Sequence, residues 1–146
     1  AVSRYVIHHV IDPEAFLARQ VALLRPGGVL VACDHVTSPS AEAAEIQRRL
    51  EVGRDRSHTS NLSSGRIVDL FATVGLIDVK LREEAFTLDF DEWFDRGTPT
   101  EPKDVFRARL LSGVNVRGFS VKVQTDQSIQ IHCIRAIVRG VKPTAA

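Results

Sequence analysis

The sequence predicts a mixed α/β domain, because two short apolar segments flank a helix and are followed by alternating segments. Residues 1–5 are the first apolar segment, and residues 29–33 (VLVAC) contain no polar residue, which is typical of a buried parallel strand. The residues between them have the start signals of a helix. A strand, a helix and a second strand imply a doubly wound sheet covered by helices on both faces.

The composition indicates one globular domain. The chain has 146 residues, of which 44% are hydrophobic and 25% are charged. A formal net charge of +1 gives no electrostatic support for nucleic acid as a partner. No signal peptide and no apolar run of membrane length is present, so we expect a cytoplasmic protein without a membrane partner.

The two cysteines lie in apolar runs and are predicted to be buried free thiols. Cys33 follows VLVA, and Cys133 lies in QIHCIRAIV. A disulfide would require the two strands to be neighbours with matching geometry.

The first helix is predicted from local chemistry at both ends. Asp12 can cap free amide groups, Pro13 suits the first helical position, and Glu14 favours the positive end of the helix dipole. Apolar residues follow at helical spacing. The helix ends before Pro26-Gly27-Gly28, which turns the chain into the second strand.

Two further helices are expected in the middle of the chain. Ser40 can cap a helix that runs through Leu50, and Ser63 or Ser64 starts another that ends at Gly75. Between them, residues 53–61 (GRDRSHTSN) are predicted to be a polar linker, in which Arg54-Asp55-Arg56 is solvated.

The C-terminal region changes to antiparallel structure. Residues 77–90 alternate imperfectly, as in a strand with a bulge. Residues 91–94 predict one helical turn, and residues 102–111 predict another helix. Residues 119–123 and 129–133 predict an antiparallel hairpin. The aromatic group of Phe86, Phe90, Trp93 and Phe94 is interpreted as core or lid packing.

Polar residues follow both predicted parallel strands. His8-His9 comes just after the first strand, and Asp34-His35 just after the second. Ligands of open α/β sheets bind outside the carboxyl ends of the strands, and imidazole titrates near neutral pH. These residues are therefore candidate acid–base groups, although a histidine at a strand end can also simply order a loop.

Other kinds of site have weaker support. His9, His35, His58 and Cys33 are suitable metal ligands, but no pair has the spacing of a known metal motif, so no metal is predicted. The sequence also has no G-x-S-x-G elbow, phosphate loop or G-x-G-x-x-G.

The order of these motifs is similar to a known family. The stretch VSRYVIHHVIDPEAFLARQVALLRPGGVLVACDH resembles strand four through strand five of class I S-adenosylmethionine-dependent methyltransferases. It is closest to the type 11 group, which includes ubiquinone and menaquinone biosynthesis enzymes. The matching elements are Ser3, His8-His9, Asp12-Pro13, the Leu24-Arg25-Pro26-Gly27-Gly28 turn and residues 29–33. The final hairpin matches the antiparallel strands six and seven.

The resemblance implies specific roles for several residues. Ser3, Arg4 and His8 would border the S-adenosylmethionine cofactor. His9, Asp34 and His35 would be catalytic, facing a small-molecule methyl acceptor, with His9 or His35 as the base if the acceptor needs one. Residues 40–62 and the segment around Trp93 resemble the variable cap that shapes the acceptor pocket.

The resemblance covers only the C-terminal half of the family's Rossmann-like sheet, strands four to seven with flanking helices. Residues 1–146 are therefore expected to be a single partial domain that lacks the N-terminal cofactor-binding half and is inactive alone. Residues 1–5 would then be an open strand edge through which the chain forms a homodimer. The alternative function is a non-catalytic binding or assembly module. A metal-dependent hydrolase that uses His9, Asp34 and His35 is a third, poorly supported interpretation.

Overall fold

The computed structural model describes residues 1–144, which form one six-stranded sheet with helices on both faces. The elements in chain order are β1 (Val2–Arg4), a 3₁₀ turn (Ile7–His9), α1 (Pro13–Leu23), β2 (Val29–His35), α2 (Ala41–Arg54), α3 (Ser64–Thr73), β3 (Ile77–Asp89), α4 (Phe90–Asp95), α5 (Lys103–Leu111), β4 (Asn115–Val116), β5 (Phe119–Val123) and β6 (Ile129–Val141).

Two of the three predicted helix caps are confirmed at atomic detail, whereas Ser40 precedes α2 without a capping hydrogen bond from its side chain. The Asp12 carboxylate accepts the N–H of Ala15, with Pro13 at the first helical position, and the Ser63 hydroxyl accepts the N–H of Arg66. Gly75, after α3, has a φ of +83°, a left-handed conformation that glycine adopts without strain.

β6 is the centre of the sheet. β1 pairs parallel with β2, and β2 pairs antiparallel with residues 135–141 of β6. β5 pairs with residues 129–133 of β6, on the same side as β2, while β3 pairs along the whole other side. The predicted hairpin is therefore confirmed, but its second strand extends well past Cys133, and its longest partner is β3. The predicted bulge in β3 lies between Ile77 and Lys80.

Two hydrophobic cores lie on opposite faces of β6. Ala136 and Val138 belong to a core with α1, α3 and β2, whereas Ile129, Ile131 and Cys133 belong to a core with α2, α4 and α5. Because side chains alternate along a strand, odd and even positions point to opposite faces. Phe90, Trp93 and Phe94 are buried in the second core, as predicted.

Three sequence interpretations are wrong. Asp34 and His35 are the last two residues of β2 and do not follow it. Arg54 and Asp55 are not solvated, since only 13% and 14% of their side chains are exposed. Arg54 lies in the last turn of α2 and stacks on Trp93, and His58 and Asn61 of the predicted linker are buried. Both cysteines are free thiols, but Cys33 is only half-buried. It lies on the face of β2 opposite the buried residues Leu30 and Ala32.

Candidate functional site

A cleft of about 440 Å³ lies at the edge of the sheet where β1 and β2 end. The two strands are parallel, so their carboxyl ends meet at this edge. The last turn of α2, the loop that follows it, β3 and α4 complete the walls. The lining residues are Arg4, Tyr5, His8, His9, His35, Glu51, Arg54, His58, Phe86, Leu88, Trp93, Arg96 and Arg135.

The structure brings most of the predicted site residues together. His8, His9 and His35 line the cleft, and Arg4 is exposed at its rim. Asp34 is 2% exposed and lies behind His8. Ser3 is buried within β1 and does not line the cleft.

His8 and Asp34 form a hydrogen-bonded pair. The ring Nδ1 of His8 lies 2.5 Å from Asp34 Oδ1, and the backbone N–H of His8 donates to Oδ2 over 3.2 Å. Asp34 Oδ1 also accepts the backbone N–H of His35, at 2.8 Å. An ionised carboxylate can only accept, so Nδ1 of a neutral His8 carries the proton and Nε2 holds a free lone pair. This arrangement orients an imidazole base.

His9 is held in the same tautomer by a different route. Asp55 is partly buried, which alone would raise its pKa, but hydrogen bonds from Ser57 and Thr98 and the charge of Arg54 lower that pKa to about 2. The Ser57 hydroxyl donates to Asp55 Oδ1 at 2.7 Å. Because the Ser57 hydroxyl proton is donated to Asp55, Ser57 Oγ can only accept from His9. Nδ1 of His9, 3.0 Å away, is therefore the donor.

His58 belongs to a buried polar chain that ends at Glu51. Nε2 of His58 lies 3.2 Å from Asn61 Oδ1, and Asn61 Nδ2 donates to Glu51 Oε1 at 3.4 Å. Burial and the nearby His8 lower the pKa of His58 to about 4, and burial raises the pKa of Glu51. Within residues 1–144, the buried Nδ1 of His58 has no hydrogen-bond partner.

The four imidazoles form one cluster centred on His8. Its ring centroid lies 4.1 Å from that of His9, 5.2 Å from that of His58 and 5.6 Å from that of His35. His35 also packs against Tyr5 and Phe86. Burial and the neighbouring His8 lower the pKa of His35 to about 4, so His35 is neutral at pH 7.

The resemblance implied that residues 40–62 shape the acceptor pocket, but sequence reasoning named no residue of α2 or of the following loop as a site residue. Glu51, Arg54 and His58 are far from β1 in the sequence but line the same cleft. One signal was available in α2, where the polar residues Gln47 and Glu51 are four positions apart and share the buried face with Leu50. Polar residues on the buried face of a helix indicate a site or a hydrogen-bond network.

Tyr5 was also missed as a site residue. It follows β1 with a φ of +53°, a left-handed conformation that is strained for a residue other than glycine. Its hydroxyl accepts a hydrogen bond from Arg135 Nη1 at 3.1 Å, and its ring packs on His35.

The residues that the structure describes contain no group of three metal-ligating side chains placed to hold an ion, and no helix among them is long and apolar enough to cross a bilayer. The cleft therefore offers imidazole bases, guanidinium groups and aromatic walls.

Comparison with known proteins gives one relative by sequence. No family model matches the chain. Over 108 residues it is 35% identical to YafE of Escherichia coli K12, a protein that is itself uncharacterized, and the match covers 73% of this chain and 52% of YafE. The chain thus spans about half the length of the curated relative that it matches.

Solved structures show the fold. The chain superposes with a TM-score of 0.84 and 21% identity on a Bacillus halodurans protein assigned as a methyltransferase, covering 98% of this chain and 68% of the other. YcgJ of Bacillus subtilis gives the same TM-score and identity, and the match covers 99% of this chain and 63% of YcgJ. The chain also superposes on a Haemonchus contortus phosphoethanolamine N-methyltransferase 2 in complex with phosphomonomethylethanolamine and S-adenosylhomocysteine. That match has a TM-score of 0.55 and 13% identity, and it covers 98% of this chain and 33% of the other. The chain has a methyltransferase fold.

Proposed function

We propose that this chain provides the acceptor-binding part of an S-adenosylmethionine-dependent methyltransferase that acts on a small molecule, and that His8 is its general base. The observation that carries the proposal is the Asp34–His8 pair at the carboxyl ends of β1 and β2, with Nε2 of His8 left as a base in the cleft. The fold that the chain shares with methyltransferases supports the reaction class.

The sulfonium and ribose parts of the cofactor are not well matched by the residues of this cleft, whereas its methionine carboxylate would suit an arginine. S-adenosylmethionine carries a sulfonium cation and a ribose diol, which favour carboxylates, yet the cleft is lined by four arginines and a single carboxylate, that of Glu51. Ser3 is buried, and Nδ1 of His8 is occupied by Asp34. We therefore infer that the cofactor is held mainly by residues outside this chain, in a longer protein.

The surface of the sheet supports that inference. Successive residues along β2 alternate between buried and half-buried, so one face of the strand is half-buried, and Val31 and Cys33 are on that face. Val2, which is paired with Val31, is 76% exposed. Additional chain packed on this face and against β1 would bury these apolar side chains.

The residues of this chain would act on the acceptor. His8 would accept the proton of an acceptor hydroxyl or acidic carbon through Nε2, while Asp34 stabilises the resulting imidazolium. His35, which is neutral and packed between Tyr5 and Phe86, would shape the wall of the cleft. This assignment gives the role of base to His8 in place of His9 or His35.

Titration calorimetry with S-adenosylmethionine tests the proposal. The chain is titrated beside a version extended at its amino terminus by the upstream residues of its reading frame. We expect binding by the extended protein alone. Binding by this chain alone would refute the assignment of the cofactor to other residues. Binding by neither protein would favour the non-catalytic binding or assembly module.

The role of His8 is tested in the extended protein by methyl-transfer rates. We expect His8→Gln and Asp34→Asn to lower kcat on the order of 10²- to 10⁴-fold, the usual contribution of a general base. His132→Gln, on the exposed side of β6, is the matched control and should retain the rate. Equal rates in all three variants would rule out His8 as the base.

We also propose that the chain by itself forms a homodimer through β1. Among the described residues, the outer edge of β1 has no paired strand, and open edges recruit other strands. Light scattering should give the mass of a dimer, and Val2→Lys should shift the mass toward that of a monomer. A wild-type monomer at working concentration would refute this proposal.

A further inference from the structure

The cleft is rich in arginine. The whole chain has a formal net charge of +1. The cleft alone is lined by four arginines, Arg4, Arg54, Arg96 and Arg135, and by one acidic residue, Glu51. Which of these guanidinium groups can bind a ligand depends on the partners that each already has within the protein.

Two of the four guanidinium groups are already used by the protein. Arg54 donates to the Trp93 carbonyl from Nε and Nη2, at 2.8 and 2.5 Å, and its Nη1 lies 3.3 Å from Asp55. Arg135 donates to Glu84 at 2.7 and 3.1 Å and to the Tyr5 hydroxyl. These two arginines hold the walls of the cleft in place.

The other two have donors that the protein does not use. Arg96 is exposed, and only its Nε is engaged, with the carbonyl of Glu92 at 3.0 Å; within residues 1–144 its terminal nitrogens have no partner. The Arg4 guanidinium lies 4.8 Å from the centroid of the Tyr5 ring and makes no hydrogen bond to the described residues. Guanidinium groups with free terminal nitrogens match carboxylate and phosphate oxygens.

The remaining walls are apolar. Phe86 and Leu88 face the cleft from β3, Trp93 faces it from α4, and Tyr5 follows β1. A ligand that matches this lining combines an apolar or aromatic body with a negatively charged group.

We propose that the methyl acceptor is an anion, an apolar or aromatic molecule whose carboxylate or phosphate is bound by Arg96 and Arg4 while its reacting group faces His8. The proposal rests on the proposed function, because it takes the cleft as the acceptor site. The unused guanidinium donors of Arg96 and Arg4 favour an anionic acceptor over a neutral or cationic one, because they can donate charge-assisted hydrogen bonds to its oxyanion.

The chain contains its own reporter for this binding. Trp93 is the single tryptophan, it lines the cleft, and its ring lies 5.1 Å from the Arg54 guanidinium. Its fluorescence is therefore followed in the 146-residue chain as phenyl phosphate, benzoate, benzyl alcohol or benzylamine is added. These probes share one ring and differ in charge and in the oxyanion that they carry.

We expect a saturable change with phenyl phosphate, benzoate or both, with a dissociation constant at least about tenfold lower than for benzyl alcohol or benzylamine. The tighter of the two anions identifies the oxyanion that the site accepts. Arg96→Gln and Arg4→Gln should each weaken anion binding roughly tenfold, the usual scale for a charge-assisted hydrogen bond. Arg19→Gln, on the exposed surface of α1, is the matched control and should bind as the wild type does.

The proposal is overturned if the neutral probe binds as tightly as the anions, or if Arg96→Gln and Arg4→Gln bind anions as tightly as Arg19→Gln. Circular dichroism and urea midpoints confirm that each variant is folded before its affinity is compared. The titration uses no cofactor. A failure of the extended protein to bind S-adenosylmethionine would therefore contradict the proposed function and leave anion binding as a separate result.

Discussion

The buried imidazoles of the cleft should make the fold sensitive to mild acid. His35 and His58 have pKa values of about 4 in the folded chain, against an ordinary value of 6.5, because burial and the neighbouring His8 disfavour their charged forms. Between these values the unfolded chain binds protons that the folded chain does not. The free energy of unfolding therefore falls as the pH drops below 6.5.

The size of the effect follows from the same values. The slope is roughly 1.36 kcal/mol per pH unit once the unfolded histidine is fully protonated, and about half of that at pH 6.5. From pH 6.5 to pH 5 each histidine therefore lowers the free energy of unfolding by about 1.5–2 kcal/mol. The two together would lower it by about 3 kcal/mol, a large part of the stability of an ordinary domain. Asp55, with its pKa lowered to about 2 from 3.8, contributes mainly below this window.

Glu51 works in the opposite direction and must be removed from the comparison. Burial raises its pKa, so the folded chain gains a proton as the pH falls, and this stabilises the fold. We would therefore measure urea unfolding, followed by Trp93 fluorescence, in a Glu51→Gln background from pH 6.5 to pH 5. His58→Gln in that background should remove about 1.5–2 kcal/mol of the loss.

His132→Gln is the matched control, because this histidine is exposed on β6 and its removal should leave the pH dependence unchanged. If His58→Gln loses stability as steeply as its parent between pH 6.5 and pH 5, the buried imidazole is not the source of the acid sensitivity. The reasoning from burial would then be wrong.

Three other outcomes follow from packing. Gly118 has a φ of +94°, and an added Cβ would lie 2.3 Å from the Val36 carbonyl oxygen, so Gly118→Ala should lower the free energy of unfolding by at least about 2 kcal/mol in urea titrations. Phe106 is fully buried, and Phe106→Ala should cost about 3–5 kcal/mol in the same assay; a loss below 1 kcal/mol would show a core that collapses around the gap. Burial raises the pKa of both thiols, but Cys33 is half-buried and should react with a thiol reagent in the folded chain, whereas the fully buried Cys133 should react only after unfolding; simultaneous labelling of both would contradict the packing.

The sequence was sufficient where local chemistry decides the structure. The Asp12 and Ser63 caps, the turn at Gly75 and the alternation of β5 each depend on residues within a few positions of one another. Such signals act before tertiary contacts form, so they can be identified without knowing the rest of the fold.

The candidate site was only half predictable, because its two halves come from distant parts of the chain. His8, His9 and His35 could be placed together, since the ends of parallel strands meet at one edge. The position of His58 depends on how α2 packs across the sheet, and no local pattern specifies that packing. The polar composition of residues 53–61 therefore predicted a solvated loop, whereas the fold buries His58 and places Arg54 in the wall of the cleft.

Because one 13-residue strand supplies side chains to both cores, the molecule should open as a single cooperative unit. If the core that contains α4 and α5 were lost, one face of the first half of β6 would become exposed to solvent. If the other core were lost, the opposite face of the second half would become exposed. Amide protons along this strand should then exchange with solvent at similar, slow rates. The cleft lies where the buried face changes, at Arg135, so the arrangement of its lining residues depends on the integrity of both cores at once.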